Sequence, residues 1–314
     1  MTKKEGNLVI KFGTRGSKLA LIQTESVMES IRVRFPDVES SKVIIKTLGD
    51  KVTNVPLFKV GGQGLFIKEL EKALMTKEID LAVHSLKDVP HQLHEGLCLC
   101  AVTRREDSRD VLLSRSNLSL KDLPPRCRIG TSSLRRRAQI IAIRADVIFE
   151  DLRGNLDTRL RKLNDGAVDA IVLAAAGLNR LGYDGKFAEI FPTTILTPAA
   201  GQGFLAIECR IEDIPKFAPI LKDIDDPISH ICADAERSFL TKIQGGCQTP
   251  MAVHARLENS LIIIDGFLGT PDGRHFLRDT ITGGDNQAKY LGETLASNLL
   301  SSGGNEILKL MQIS

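Results

Sequence analysis

The sequence reads as an α/β protein: two sheet-and-helix domains around a cleft, with a smaller α+β domain following them. Three observations predict this. Short β-rich runs alternate with helical patterns over the first hundred residues, a second such series follows, and beyond about residue 223 strand-like runs precede a last helix.

In the first series a β-rich run at 8–12 leads into a helical pattern at 17–35, followed by 43–48, a helix at 66–75, and strands at 79–83 and 97–102. Such alternation implies largely parallel strands, with ligand sites at their carboxyl ends. The second series runs from 127–130 into 132–143, from 147–149 into 156–163, and on to 170–173. A Pro- and Gly-punctuated stretch, PTTILTPAAGQG at 192–203, precedes a β-rich run at 204–209 and reads as a crossing between domains. The third region opens with a helix at 228–243 that stops at Gly245-Gly246. Strands at 251–257, 260–267 and 274–281 and a helix near 286–300 complete it.

The 314 residues carry 42 Lys and Arg against 39 Asp and Glu, a net charge of +3, which argues against a surface that is wholly a nucleic-acid footprint. Residues 100–165 alone carry +6 and the remainder −3, so an anion-binding function should draw on the middle segment. Six cysteines without a C-x-x-C pair suggest reduced thiols and a cytosolic protein. The start is too short for a signal peptide, and no apolar run reaches the ~20 residues that span a bilayer. With no Trp and two Tyr, stacking platforms for single-stranded nucleic acid are scarce.

Two segments share one pattern. Gly13-Thr14-Arg15-Gly16-Ser17 and Gly130-Thr131-Ser132-Ser133 each join a strand to a helix, placing hydroxyl residues where free N–H groups favour an anion. Ordinary N-capping explains either one; their recurrence beside basic residues suggests two anion sites on one cleft. His84-Ser85-Leu86-Lys87-Asp88 follows an apolar strand, at a ligand-bearing position or in a polar loop with a surface ion pair. Arg135-Arg136-Arg137 opens a helix, and arginine there opposes the dipole unless an anion neutralises it; a solvated basic face is the alternative. Guanidinium forks, with Arg153, Arg159 and Arg161 nearby, suit a polycarboxylate. Cys247 follows two glycines in a turn, where a thiol can be reactive or inert. His91 and His94 lack further ligands at metal spacing, so no metal is expected. Gly61-Gly62-Gln63-Gly64 lacks the GK[ST] ending of a P-loop.

Taken together these segments resemble the porphobilinogen deaminase family over residues 8–312. The resemblance rests on GTRGSKLALIQ at 13–23, GGQGLFIKELE at 61–71, DLAVHSLKDVP at 80–90, IGTSSLRRRAQ at 129–139, LRGNLDTRLRKL at 152–163, LAAAGLNRLG at 173–182, TPAAGQG at 197–203 and ERSFLTKIQGGCQTPMAVHA at 236–255. It implies two periplasmic-binding-protein-like α/β domains, 1–103 with 204–222 and 104–203, and an α+β domain at 223–314. It also implies a dipyrromethane cofactor held by a thioether on Cys247. Four porphobilinogen molecules would be joined head to tail with loss of ammonia, and a downstream uroporphyrinogen-III synthase would take the product. Family habit points to a monomer.

By the same resemblance Asp88 and Lys87 are catalytic. Ser85, Lys87, Asp88, Thr131, Ser133, Arg135, Arg136 and Gly154 would hold the cofactor, and Arg15, Ser17, Gln23, Phe66, Arg153, Arg159, Arg180 and Gln202 the substrate. Gln63 stands where the family commonly has Lys, which puts one loop-to-carboxylate contact in doubt. Two other readings compete: a non-catalytic carboxylate-binding protein using the same cleft, which leaves Asp88 and Cys247 without a role, and nucleic-acid binding through the +6 segment.

Overall fold

A computed structural model describes residues 9–47, 64, 67–183, 185–244 and 249–312. The first sheet is built from β1 (Val9–Thr14), β2 (Glu39–Ile44), β3 (Leu81–Ser85), β4 (Leu97–Val102) and β10 (Leu205–Arg210), in the order β2-β1-β3-β10-β4. The second holds β5 (Asp110–Ser114), β6 (Arg128–Gly130), β7 (Ile148–Glu150), β8 (Ala170–Ala174) and β9 (Glu189–Ile190), ordered β7-β6-β8-β5-β9. In each sheet four strands are parallel and one, β10 or β5, runs against both its neighbours. The reversed strand enters from the other sheet, so no right-handed βαβ crossover constrains its direction.

The chain therefore crosses twice between the sheets, after β4 and again before β10. The crossing expected at 192–203 is one of these. The other, into β5, follows the 103/104 boundary that the resemblance implies, but a strand at Asp110–Ser114 was not expected. Helices α1 (Lys18–Arg34), α2 (Lys68–Met75), α3 (Leu134–Ile143), α4 (Leu156–Asn164), α5 (Ala175–Arg180) and α6 (Ile214–Leu221) accompany the two sheets. The strand expected at 43–48 lies earlier, at 39–44. It is a sheet edge with mostly exposed side chains, so its position follows from pairing with β1 rather than from an apolar run.

The third unit is an antiparallel meander of β11 (Met251–Glu258), β12 (Leu261–Gly269) and β13 (Phe276–Gly284), with α7 (Pro227–Ile243), α8 (Ala288–Leu299) and α9 (Asn305–Gln312). Asp226 caps α7 by accepting from the Ser229 N–H at 2.8 Å, and Pro227 fits the first turn, where no donor is needed. The helix ends at Ile243, with Gln244 left-handed at φ 53°, one residue before the glycines expected to stop it. One apolar cluster joins Phe239, Val253, Ile264, Leu295 and Leu299 to Leu86, Val102 and Phe204 of the first sheet's side, so the meander packs directly against the element that carries Lys87.

Candidate active site

Strand β3 ends at Ser85, and a single 3₁₀ turn, Leu86–Asp88, carries the next three residues. Leu86 is buried and its N–H donates to Phe204 O at 3.1 Å, so the turn is pinned while Lys87 and Asp88 project outward. Gln23, buried on α1, donates from Nε2 to Ser85 Oγ at 2.9 Å. Gln23, Ser85 and Lys87 of the first sheet's side line one crevice with Arg180 and Gln202. Lys87 reaches water there, yet sits in the concave wall between the sheets. That loss of hydration pulls its pKa down to about 8, with Asp88 and Asp110 opposing the shift and Arg136 and Arg135 adding to it.

The neutralising anion expected opposite the arginine cluster exists within the chain. Asp110, at the start of β5 and wholly buried, accepts from Arg135 Nη1 at 2.7 Å and from Arg136 Nη2 at 2.7 Å and Nε at 3.2 Å. Arg135 Nη1 also reaches Thr197 O at 2.7 Å, and Arg136 Nη1 reaches Val172 O at 3.0 Å. Burial raises the Asp110 pKa, but the two guanidiniums more than reverse this and hold it well below the ordinary carboxylate range. The solvated-face alternative therefore fails for Arg135 and Arg136, both buried. Arg137 turns away to Thr131 O at 2.9 Å and Asp151 Oδ1 at 2.7 Å. With those two guanidiniums turned inward, the +6 segment offers no open basic face at this helix start for nucleic acid.

The hydroxyls act first as caps. Ser17 Oγ accepts from the Ala20 N–H at 3.3 Å, Ser133 Oγ from the Arg136 N–H at 3.4 Å, and Thr131 Oγ1 from the Ser133 N–H at 3.2 Å.

Arg159 is held by its Nε donating to Gly154 O at 3.0 Å, and Gly154 takes φ 103°, which a side chain would resist. Partial burial, with Arg136 and Arg153 adding to it and Asp88 opposing from the first sheet, lowers the Arg159 pKa to about 10. Burial also lowers that of Arg180, whose Nη2 donates to Gly203 O at 2.7 Å. Gln202 spends both amide hydrogens within the protein, on Ser108 O at 2.7 Å and Asp110 Oδ1 at 3.0 Å. Its Oε1 stays buried without a partner among the described residues.

The geometry thus gathers Gln23, Ser85, Lys87, Asp88, Arg135, Arg136, Arg159, Arg180 and Gln202 around one cleft, with Arg153 beside Arg159. Cys247, Phe66 and Gln63 lie outside the described residues. No cluster of metal-binding side chains occurs among the described residues. Asp110 was missed from sequence. An acidic residue immediately before the apolar run 111–113 was the available signal, and a strand there was not foreseen.

Fold and site together define a two-lobed protein with a cation-lined cleft between α/β sheets, suited to an anionic, carboxylate-rich ligand. A family model described as porphobilinogen deaminase, dipyromethane cofactor binding domain, matches residues 10–216, and the family's C-terminal domain matches 230–301. The chain belongs to the porphobilinogen deaminase family. It is 48% identical to the porphobilinogen deaminase of Brevibacillus brevis, over 95% of this chain and 96% of that protein. With that of Syntrophobacter fumaroxidans it shares 44% identity, covering 96% of this chain and 97% of the relative. Among solved structures, the periplasmic aliphatic sulphonate binding protein of Escherichia coli is similar at 13% identity and a TM-score of 0.39, over 75% of this chain and 70% of that one.

Proposed function

We propose that this protein is a hydroxymethylbilane synthase: it joins four porphobilinogen molecules head to tail, each losing ammonia, and water releases the linear tetrapyrrole. The observation that carries this reading is the meeting, across one cleft, of Lys87 and Asp88 from one sheet with Arg135, Arg136 and Arg159 from the other.

The described donors fit a dipyrromethane cofactor. Its several carboxylates match the guanidiniums and Lys87, and its pyrrole N–H groups match an acceptor such as the unpartnered Gln202 Oε1. When bound, the cofactor supplies the primer to which substrate units are joined. In this reading Cys247 carries it through a thioether, and Ser85, Lys87, Thr131, Ser133, Arg135, Arg136 and the Gly154 turn hold its acidic side chains. Arg15, Ser17, Gln23, Phe66, Arg153, Arg159, Arg180 and Gln202 receive substrate.

Asp88 then faces the substrate's aminomethyl group. As the C–N bond breaks, its electron pair leaves with ammonia and positive charge spreads over the pyrrole. An ionised carboxylate in a cleft otherwise rich in cations stabilises that charge and can take the proton lost after the new C–C bond forms.

The domain division 1–103 with 204–222, 104–203 and 223–314 is supported by β10 lying hydrogen-bonded between β3 and β4. A cytosolic monomer handing its product to a uroporphyrinogen-III synthase completes the proposal.

Denaturing intact-mass analysis of freshly purified protein, paired with ammonia release from porphobilinogen, tests it. A mass above that of the sequence by one dipyrromethane, with turnover, is expected. The unmodified mass with ligand retention and no ammonia would instead make this a carboxylate-binding protein.

A further inference from the structure

Asp110 has no part in the chemistry just described, yet four hydrogen bonds converge on it. Oδ2 takes Arg135 Nη1, while Oδ1 takes Arg136 Nη2 and Nε and Gln202 Nε2. A buried ion cluster rarely stabilises a fold more than apolar packing of the same volume, so stability alone gives a weak reason for it. Its location offers a better one. Both guanidiniums begin α3, where the helix dipole opposes them, and Lys87 lies close enough to be influenced by all three charges.

We propose that Asp110 is a positioning residue: it clamps Arg135 and Arg136 beside Lys87 and offsets part of their charge, so that the three cations present a fixed array to ligand carboxylates. This rests on the functional reading above. Geometry supports it independently, because consecutive helix residues point about 100° apart, yet Arg135 and Arg136 converge on the two oxygens of one carboxylate.

The groups acting on Lys87 are Asp88, which follows it in sequence, Arg136 and Arg135 on α3, and Asp110 on β5. Replacing Asp110 with Asn removes one attraction and leaves both repulsions, so the titration of Lys87 moves down from about 8.

The test compares wild type, Asp110→Asn and Asp110→Glu. Acetylation of Lys87 by acetic anhydride is followed against pH by peptide mass spectrometry, and KM and kcat for porphobilinogen are measured on the same preparations. Asp110→Asn is expected to lower the labelling midpoint by about one pH unit and to raise KM about tenfold, with kcat within a few-fold. Asp110→Glu keeps the charge but moves it by one methylene, so the midpoint should hold while KM rises. A merely structural role would lower thermal stability and leave the midpoint in place.

An unchanged midpoint in folded Asp110→Asn overturns the proposal. Should that variant not fold, Asp110→Glu decides: a raised KM with a retained midpoint supports the proposal, and a wild-type KM overturns it. If the wild-type protein carries no added mass and consumes no porphobilinogen, the functional reading fails, while the Lys87 midpoint still reports whether Asp110 tempers the cluster.

Discussion

Lys87 and Asp88 are adjacent, oppositely charged and held by the same 3₁₀ turn, so each can be tested without disturbing the other's backbone. Asp88→Asn preserves size and some hydrogen bonding but removes the charge. It should lower ammonia release at least ~10²-fold, the lower range for a positioned acid or base, while intact mass shows a fully loaded cofactor. A loaded variant turning over within a few-fold of wild type would take Asp88 out of the mechanism. For Lys87 the sign is simple. Its cationic form binds carboxylates, and with a pKa near 8 that form is present below pH 8 and is lost as the pH rises through it. KM for porphobilinogen should therefore climb between pH 7 and pH 9.5. Lys87→Arg, permanently charged, should flatten that climb; an equal climb in both proteins would assign it to another group.

At the scale of elements, the crossing segment abuts the Lys87–Asp88 turn at Gly201. Its φ is 75°, and a Cβ there would stand 2.8 Å from the backbone of Leu86 and Lys87. Gly182 provides the control, since it also has positive φ, 66°, but no atom of the described residues within 4 Å of its Cβ position. Gly182→Ala should cost only the conformational strain, about 1 kcal/mol, seen as a shift in thermal midpoint with normal kcat. Gly201→Ala adds a backbone clash that must displace the Lys87–Asp88 turn, so it should melt lower still and lose about tenfold in kcat, given the sensitivity of catalysis to ångström shifts. Equal behaviour of the two variants would mean that the close approach does not matter. The same segment shows how much of the site could be read from sequence. Its Pro and Gly punctuation marked the crossing, but its contact with residues more than a hundred positions earlier left no local signature.

Across the whole molecule, the third unit is tied to the first crossover, between β4 and β5, by polar contacts. Arg105 Nη1 donates to Glu236 Oε1 at 2.8 Å and to Ala255 O at 3.0 Å, and Ser108 Oγ meets His254 Nε2 at 3.0 Å. Burial, with repulsion from Arg105 and Arg256, lowers the His254 pKa to about 3 from its ordinary 6.5. Unfolded chains therefore bind a proton below pH 6.5 that the folded protein refuses, and stability falls with pH across that window. The loss from this group should reach about 2 kcal/mol at pH 5, and His254→Gln should remove that share when urea unfolding at pH 7 and pH 5 is compared. An undiminished acid sensitivity would place its origin elsewhere. Cys247→Ser should abolish both the mass adduct and activity, whereas Cys98→Ser, Cys100→Ser and Cys232→Ser should keep them. An adduct surviving in Cys247→Ser would move the attachment.

What the sequence determined by itself was whatever repeats locally: the alternation of strands and helices, the caps at Ser17 and Ser133, the Asp226–Pro227 start of α7, and motifs such as HSLKD and RRR whose residue types announce anion chemistry. These follow from hydrogen-bond geometry and periodicity within a few residues, and so they are written into short segments. Tertiary structure alone decided the reversed fourth strand of each sheet, the edge position of β2, and above all the charge balance of the cleft. Asp110 precedes Arg135 by 25 positions and belongs to a strand paired with β8 and β9 rather than with β6, so nothing near the arginines in sequence shows that their counter-ion is already present. Electrostatic pairing acts through space, and which charges meet is settled only when the second sheet closes around them.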